Sequence, residues 1–280
     1  MIRQILFPFD FSAQGLQAVP FVRALATHLH ASVTILSVVP LNFAVMPAGM
    51  DDDVAAWTRE LQSRLDQALT TEFGGVRVKR ITNAGDPGFR ITEVAHNKGV
   101  DLIMMPTHGL GLFRTLLVGS ATSKVLHDAR CPVWTAAHAE QQRTGGLPKI
   151  ILCAVDGRPE SGALLKWAAD FSTRVGAALK VLHVVGPMTD WSSLEPEGAL
   201  PERLRQAAHE KIVSLQAAAG VQAPLRVAIG DIVATVTEHA REEDADLILI
   251  GRGSLQAPLG RLRTHAYGII QRSRCPVLSV

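Results

Sequence analysis

Two aspartates and one glycine-containing loop have the residue types and spacing to do chemistry. Asp10 closes the apolar run Ile5-Leu6-Phe7-Pro8-Phe9, and Asp156 closes Ile151-Leu152-Cys153-Ala154-Val155. A carboxylate at such a point can accept hydrogen bonds from ribose hydroxyls or from an amino group of a base. It can equally cap the helix that follows, and both readings stay open. The loop runs Thr107-His108-Gly109-Leu110-Gly111-Leu112-Phe113-Arg114, then Leu116-Leu117-Val118-Gly119-Ser120, with a helix expected from Ala121. Glycines let the main chain approach an anion, and the exposed N–H groups and dipole of a helix start favour negative charge. Ser120 could cap that helix and donate its hydroxyl to a phosphate oxygen, with Arg114 adding charge. The plain alternative is a loop of turn glycines and a capping serine.

The elements that would position these residues occur twice. Gly85-Asp86 recurs as Gly230-Asp231, Asp101-Leu102-Ile103 as Asp246-Leu247-Ile248, and Cys131-Pro132-Val133 as Cys275-Pro276-Val277, in the same order as the two aspartates and at separations of 144 to 146 residues. Four ordered matches indicate duplication of a whole domain. The expected domains are residues 1–137 and 149–280, joined by a polar, glycine-containing linker over 138–148. In each half, short Val-, Ile- and Leu-rich runs alternate with helical periodicity, which predicts an α/β fold: two repeated doubly wound domains, each a five-stranded parallel sheet with helices on both faces. Strands are expected near 4–9, 33–38, 76–81, 101–105 and 133–135 of the first half. Val54, Trp57, Leu61, Leu65 and Leu69 recur at three- or four-residue steps and mark the buried stripe of one helix, matched by Leu204, Ala208, Ile212 and Leu215. Ser12 is placed to cap the first helix, and Pro20 predicts a bend or break within it. Ligands of such sheets collect beyond the carboxyl ends of the strands, at the switch in strand order.

Asp10, the Pro106-Thr107-His108-Gly109 turn, Gly119-Ser120 and the closing Cys131-Pro132-Val133 together resemble the universal stress protein family, once per half and over nearly the whole chain. The resemblance implies that family's fold, which is of the adenine nucleotide alpha hydrolase-like type. Members that bind ATP carry glycine, two residues, glycine, nine residues, then glycine and serine or threonine. Gly109 and Gly119-Ser120 match the later part, while Pro106 stands where the first glycine would be. The implied nucleotide site comprises Asp10, Val38, Thr107, His108, Gly109, Gly119, Ser120 and Ala121. A weaker second site would use Asp156, Gly251, Gly253, Arg263 and Thr264, with Ile250 at the place of Pro106, Arg263 at that of Gly119 and Thr264 at that of Ser120. Arg252, Arg261 and Arg263 either hold an anion there or form a solvated loop.

Several classes are disfavoured by composition. Net charge is +2 with neutral histidines, which gives no pull toward nucleic acid or an anionic membrane. No apolar run reaches the roughly 20 residues that span a bilayer, and the N-terminus lacks the pattern of an export signal. Cys131, Cys153 and Cys275 are too widely spread for a metal ribbon or disulfide framework, which fits a cytoplasmic protein. Neither the histidines, His28 and His30 among them, nor the cysteines form a metal pattern. No residue set marks a nucleophile or general base. The expectation is therefore a stress-response binding or regulatory protein that takes ATP or a related adenine nucleotide, with Mg²⁺ as its companion, and that pairs as a homodimer or with an unidentified protein. The alternatives are a protein-interaction module without nucleotide and a slow ATP hydrolase.

Overall fold

The structure is a computed structural model that describes residues 2–41, 47, 49–107, 118–136, 146–186, 199–252 and 264–280, with nothing assigned to the side chains of Ala199 and Thr264. His108, Gly109, Arg114, Gly253, Arg261, Arg263 and most of the expected linker lie outside the described residues. The chain divides into two compact units, Met1–Leu147 and Pro148–Val280.

The first unit runs β1 (Gln4–Pro8), α1 (Ala13–Leu29), β2 (Ser32–Pro40), α2 (Asp51–Gln67), β3 (Val78–Gly85), α3 (Pro87–Asn97), β4 (Leu102–Pro106), α4 (Ser120–Asp128) and β5 (Val133–Ala136). The second repeats the order as β6 (Ile150–Val155), α5 (Ser161–Val175), β7 (Ala178–Val185), α6 (Ala199–Ala219), β8 (Leu225–Ile229), α7 (Ile232–Glu242), β9 (Leu247–Ile250), α8 (Thr264–Arg272) and β10 (Val277–Ser279). Strands lie side by side as β3-β2-β1-β4-β5 in the first unit and β8-β7-β6-β9-β10 in the second. Every described pairing within a unit is parallel. All positions of β4, β5 and β9 are buried, so both faces of the sheet are covered, as a parallel sheet requires.

Local chemistry explains the elements. The Ser12 hydroxyl accepts the Gly15 N–H at 3.0 Å and caps α1, whose buried residues Gly15, Ala18, Val19, Val22, Leu25 and Ala26 form one helical stripe. Against expectation, α1 runs unbroken through Pro20. Pro20 and Leu16, whose carbonyl loses its partner there, both face solvent, so water can serve that carbonyl. Asp101 Oδ2 accepts the N–H groups of Arg3 and Gln4 at 2.8 and 2.9 Å, and Asp246 Oδ2 accepts those of Lys149 and Ile150 at the same distances. The repeated aspartate thus pins the first strand of each unit beside the fourth.

One helix contact is solved in opposite ways. On α3, Gly88 lies so close to α4 that an added Cβ would sit 2.8 Å from Lys124 Cβ. At the matching contact the glycine is on the other helix: a Cβ on Gly268 of α8 would sit 2.9 Å from Val233 Cγ2 of α7.

Candidate functional site

The strand order reverses at β1, which pairs with β2 on one side and β4 on the other, and there a cavity of about 920 Å³ opens. Its floor is the end of β1 and the turn after it (Pro8, Phe9, Asp10, Phe11), the end of β2 (Ser37, Val38) and the end of β4 (Met105, Pro106). Gly119, Ser120 and Ala121 close one side, and Trp57, Glu60, Leu61 and Arg64 of α2 form another wall. Asp10, Val38, Gly119, Ser120 and Ala121 are therefore brought together.

Thr107 is not. Its N–H and its hydroxyl both donate to the Ala136 carbonyl, at 3.2 and 3.1 Å, which turns the buried side chain toward β5. Its own carbonyl accepts the Gly119 N–H at 3.0 Å. That bond sets where α4 begins, and it corrects the expected cap: Gly119, with no side-chain cap, is the N-cap, and Ser120 is already helical. Ser123 N–H is the first to return to a helix carbonyl, reaching Gly119 at 2.8 Å. The N–H groups of Ser120, Ala121 and Thr122 precede it and have no carbonyl one turn back, so the helix start carries donors and the positive end of its dipole on the cavity side. The Thr122 hydroxyl donates to the Pro106 carbonyl at 3.3 Å and ties α4 to β4.

Asp10 is not the helix cap, because Ser12 holds that place. Its Oδ1 accepts the Ser12 N–H at 3.0 Å, which orients the half-buried carboxylate at the cavity floor. The next residue is strained. Phe11 sits at φ 60°, a left-handed conformation costing roughly 1–2 kcal/mol outside glycine. Its ring packs 4.8 Å from that of Phe9 and lies under the Arg64 guanidinium, 4.7 Å from the ring centroid. Behind the floor the Ser37 hydroxyl donates to the Phe9 carbonyl.

The second unit repeats this frame with altered contents. Its cavity is about 350 Å³ and is lined, among the described residues, by Asp156, Arg158, Ser161, Gly251 and His265 over an apolar floor, without a residue of α6. His183 Nδ1 donates to the Val155 carbonyl at 2.8 Å, as Ser37 does in the first unit. Asp156 is held differently: its Oδ1 accepts the Ser161 hydroxyl at 2.9 Å and the Arg158 N–H at 3.1 Å. Position 161 answers to Gly15, which has no hydroxyl to give. At the place of Phe11 stands Gly157, with φ 70° at no steric cost.

Strand register corrects one alignment. Met105 pairs with Thr135 and Ile250 with Ser279, while the N–H groups of Thr107 and Arg252 reach the carbonyls of Ala136 and Val280. Gly251, not Ile250, therefore stands at the place of Pro106. Arg252 is 4% exposed, so it is not a solvated loop arginine, and it does not line the cavity. Thr264 begins α8.

Trp57 and Leu61, expected in a stripe buried on the sheet, line the cavity instead, Trp57 with 40% of its surface exposed, and helical periodicity does not mark Glu60, Arg64 or the backbone of Phe11. The available signal was the contrast between Phe11 and Gly157 within an otherwise close repeat.

Among the described residues no helix is long and apolar enough to cross a membrane, and no group of three or more His, Cys, Asp or Glu is placed to hold a metal.

Two doubly wound parallel domains in one chain, each with a crevice at its switch point, define the class. The chain belongs to the universal stress protein family, whose family model matches residues 1–136 and again 148–280. It is 28% identical over 48% of its length to a universal stress protein of Methanocaldococcus jannaschii, covering 93% of that protein. It is 32% identical over 48% of its length to one of Synechocystis, covering 84% of it. A universal stress protein structure from Archaeoglobus fulgidus shares the fold with a TM-score of 0.68 at 21% identity, across 99% of this chain and 95% of that one.

Proposed function

We propose that the first unit binds ATP or a related adenine nucleotide and that the chain acts as a cytoplasmic stress-response regulator, the bound state altering its conformation or its association with a second copy or another protein. The observation that carries this reading is the cavity at the β1/β4 switch point, where a carboxylate, an apolar floor and an N-terminus of α4 without a side-chain cap converge. The carboxylate of Asp10 suits ribose hydroxyls, the strip around Val38 suits a base, and the N–H groups of Ser120 and Ala121 suit phosphate oxygens. A Mg²⁺ ion would travel with the phosphates, which with water supply its oxygen ligands. The second unit is expected to bind the nucleotide less well, because Asp156 already accepts the Ser161 hydroxyl and the cavity is smaller.

Gly119→Arg tests the reading. Gly119 has φ −57°, which any residue adopts, so the variant should fold while its side chain enters the phosphate side. Calorimetry should show ATP affinity lowered at least tenfold, about 1.4 kcal/mol. Unchanged affinity in a variant with an unchanged unfolding midpoint would overturn the site. Single-turnover hydrolysis at roughly 1–100 per second, abolished by the substitution, would make catalysis the primary function instead.

A further inference from the structure

Among the described residues, the first cavity has a wall that the second lacks. Trp57, Glu60, Leu61 and Arg64 follow one another at helical spacing on α2 and all line the cavity, whereas no residue of α6 lines the cavity of the second unit. At the positions matching Glu60 and Arg64, α6 carries Ala207 and Lys211. The wall meets the floor at Phe11, and the strain of Phe11 is confined to the unit that has the wall, since the second unit places Gly157 at that turn. A left-handed phenylalanine persists only where its surroundings hold it, and such residues gather at ligand sites.

Arg64 deepens the contrast. Its guanidinium lies over the Phe11 ring, and among the described residues it forms no ion pair with a carboxylate. A guanidinium held over an aromatic face still has N–H donors left for an acceptor on a base. Glu60, one turn before Arg64 on the same wall, supplies only acceptors when ionised. A donor beside an acceptor on one cavity wall matches a base edge that shows an acceptor beside an amino group. Adenine has that edge in N7 and the N6 amino group; guanine shows N7 and O6, two acceptors, and would set O6 against the carboxylate.

We infer that Phe11, Glu60 and Arg64 form a base-reading wall that selects adenine over guanine, with Arg64 donating to N7, Glu60 accepting from the N6 amino group and Phe11 seating the Arg64 guanidinium. This rests on the nucleotide reading of the same cavity and adds the residues that choose the base. The wall also accounts for the expected difference between the units, because no such pair on α6 lines the second cavity among the described residues.

The test is calorimetric titration of the full chain with ATP and with GTP, on the wild type and on Arg64→Ala, Glu60→Gln and Phe11→Asn. Asparagine tolerates the left-handed conformation, so the last variant removes the ring without imposing strain, and thermal unfolding checks that each variant folds. The wild type should prefer ATP at least tenfold. Arg64→Ala and Phe11→Asn should weaken ATP at least tenfold, and Glu60→Gln should narrow the ATP to GTP ratio by a similar factor, because the amide can donate to O6. A ratio unmoved by Glu60→Gln, or ATP affinity unmoved by Arg64→Ala, overturns this inference and leaves the nucleotide reading standing. Wild-type protein that binds neither nucleotide overturns both.

Discussion

The two aspartates at the strand ends differ in what surrounds them, and that difference can be transplanted with one substitution. In the second unit the Ser161 hydroxyl donates to Asp156 Oδ1 at 2.9 Å. In the first unit the same helix position is Gly15, where a Cβ would lie 3.3 Å from Asp10 Oδ1 and 3.1 Å from the Phe9 ring. Gly15→Ser would therefore bring a hydroxyl within reach of the Asp10 carboxylate and make it compete with any ribose hydroxyl for the same oxygen. A hydrogen bond to a charged group contributes about 1.5–3 kcal/mol, so its loss to the ligand should weaken nucleotide binding by roughly one to two orders of magnitude. Stability should move little. The Phe9 ring must yield by a few tenths of an ångström, while exchanging glycine for serine inside a helix favours the folded state by about 0.5 kcal/mol. Calorimetry with ATP measures the first effect and thermal unfolding the second. Unchanged affinity in a well-folded Gly15→Ser variant would refute the assignment of Asp10 as a ligand group.

Two further outcomes follow from packing and charge. Gly268→Ala should lower stability by about 1–2 kcal/mol, the overpacking against Val233 exceeding the gain in helix propensity, and adding Val233→Ala should restore most of it in a denaturant-based double-mutant cycle. Lys180 holds the Glu243 carboxyl below its ordinary value of 4.5 through a hydrogen bond and its charge. A depressed carboxyl contributes stability that is present above that ordinary value and lost as pH falls through the folded value. The stability difference between wild type and Lys180→Met should accordingly be level at neutral pH and shrink in acid, and it should be small, because both side chains are about a third exposed.

Features that depend on near neighbours in the chain could be read from the sequence. The runs around Leu6, Ile35 and Ile103 are strands because unbroken apolar stretches suit a sheet buried on both faces, and Ser12 caps α1 because its hydroxyl reaches an N–H three residues on. What could not be read depends on partners far along the chain. Thr107 turns away from the cavity because the Ala136 carbonyl captures it across the β4–β5 pairing, while its own carbonyl takes the N–H of Gly119, where α4 is capped. The same pairing in the second unit puts Gly251 at the place of Pro106, a shift of one residue that matching loops by their glycines cannot detect. Arg64 belonged to an ordinary polar helix face until Phe11, more than fifty positions earlier, was seen beneath it.

The exchanged glycine at the helix contact bears on how the duplicated halves have aged. Moving the α8 segment into the first unit would set Gly268 against Gly88 and leave a void, while moving α4 into the second would drive Lys124 against Val233. Each half thus holds a matched pair of residues that fits only in its own company, and the last helices of the two halves are not interchangeable parts. A hybrid built by swapping their last helices would have to be repaired on α3 or α7 before it could fold as well as either parent.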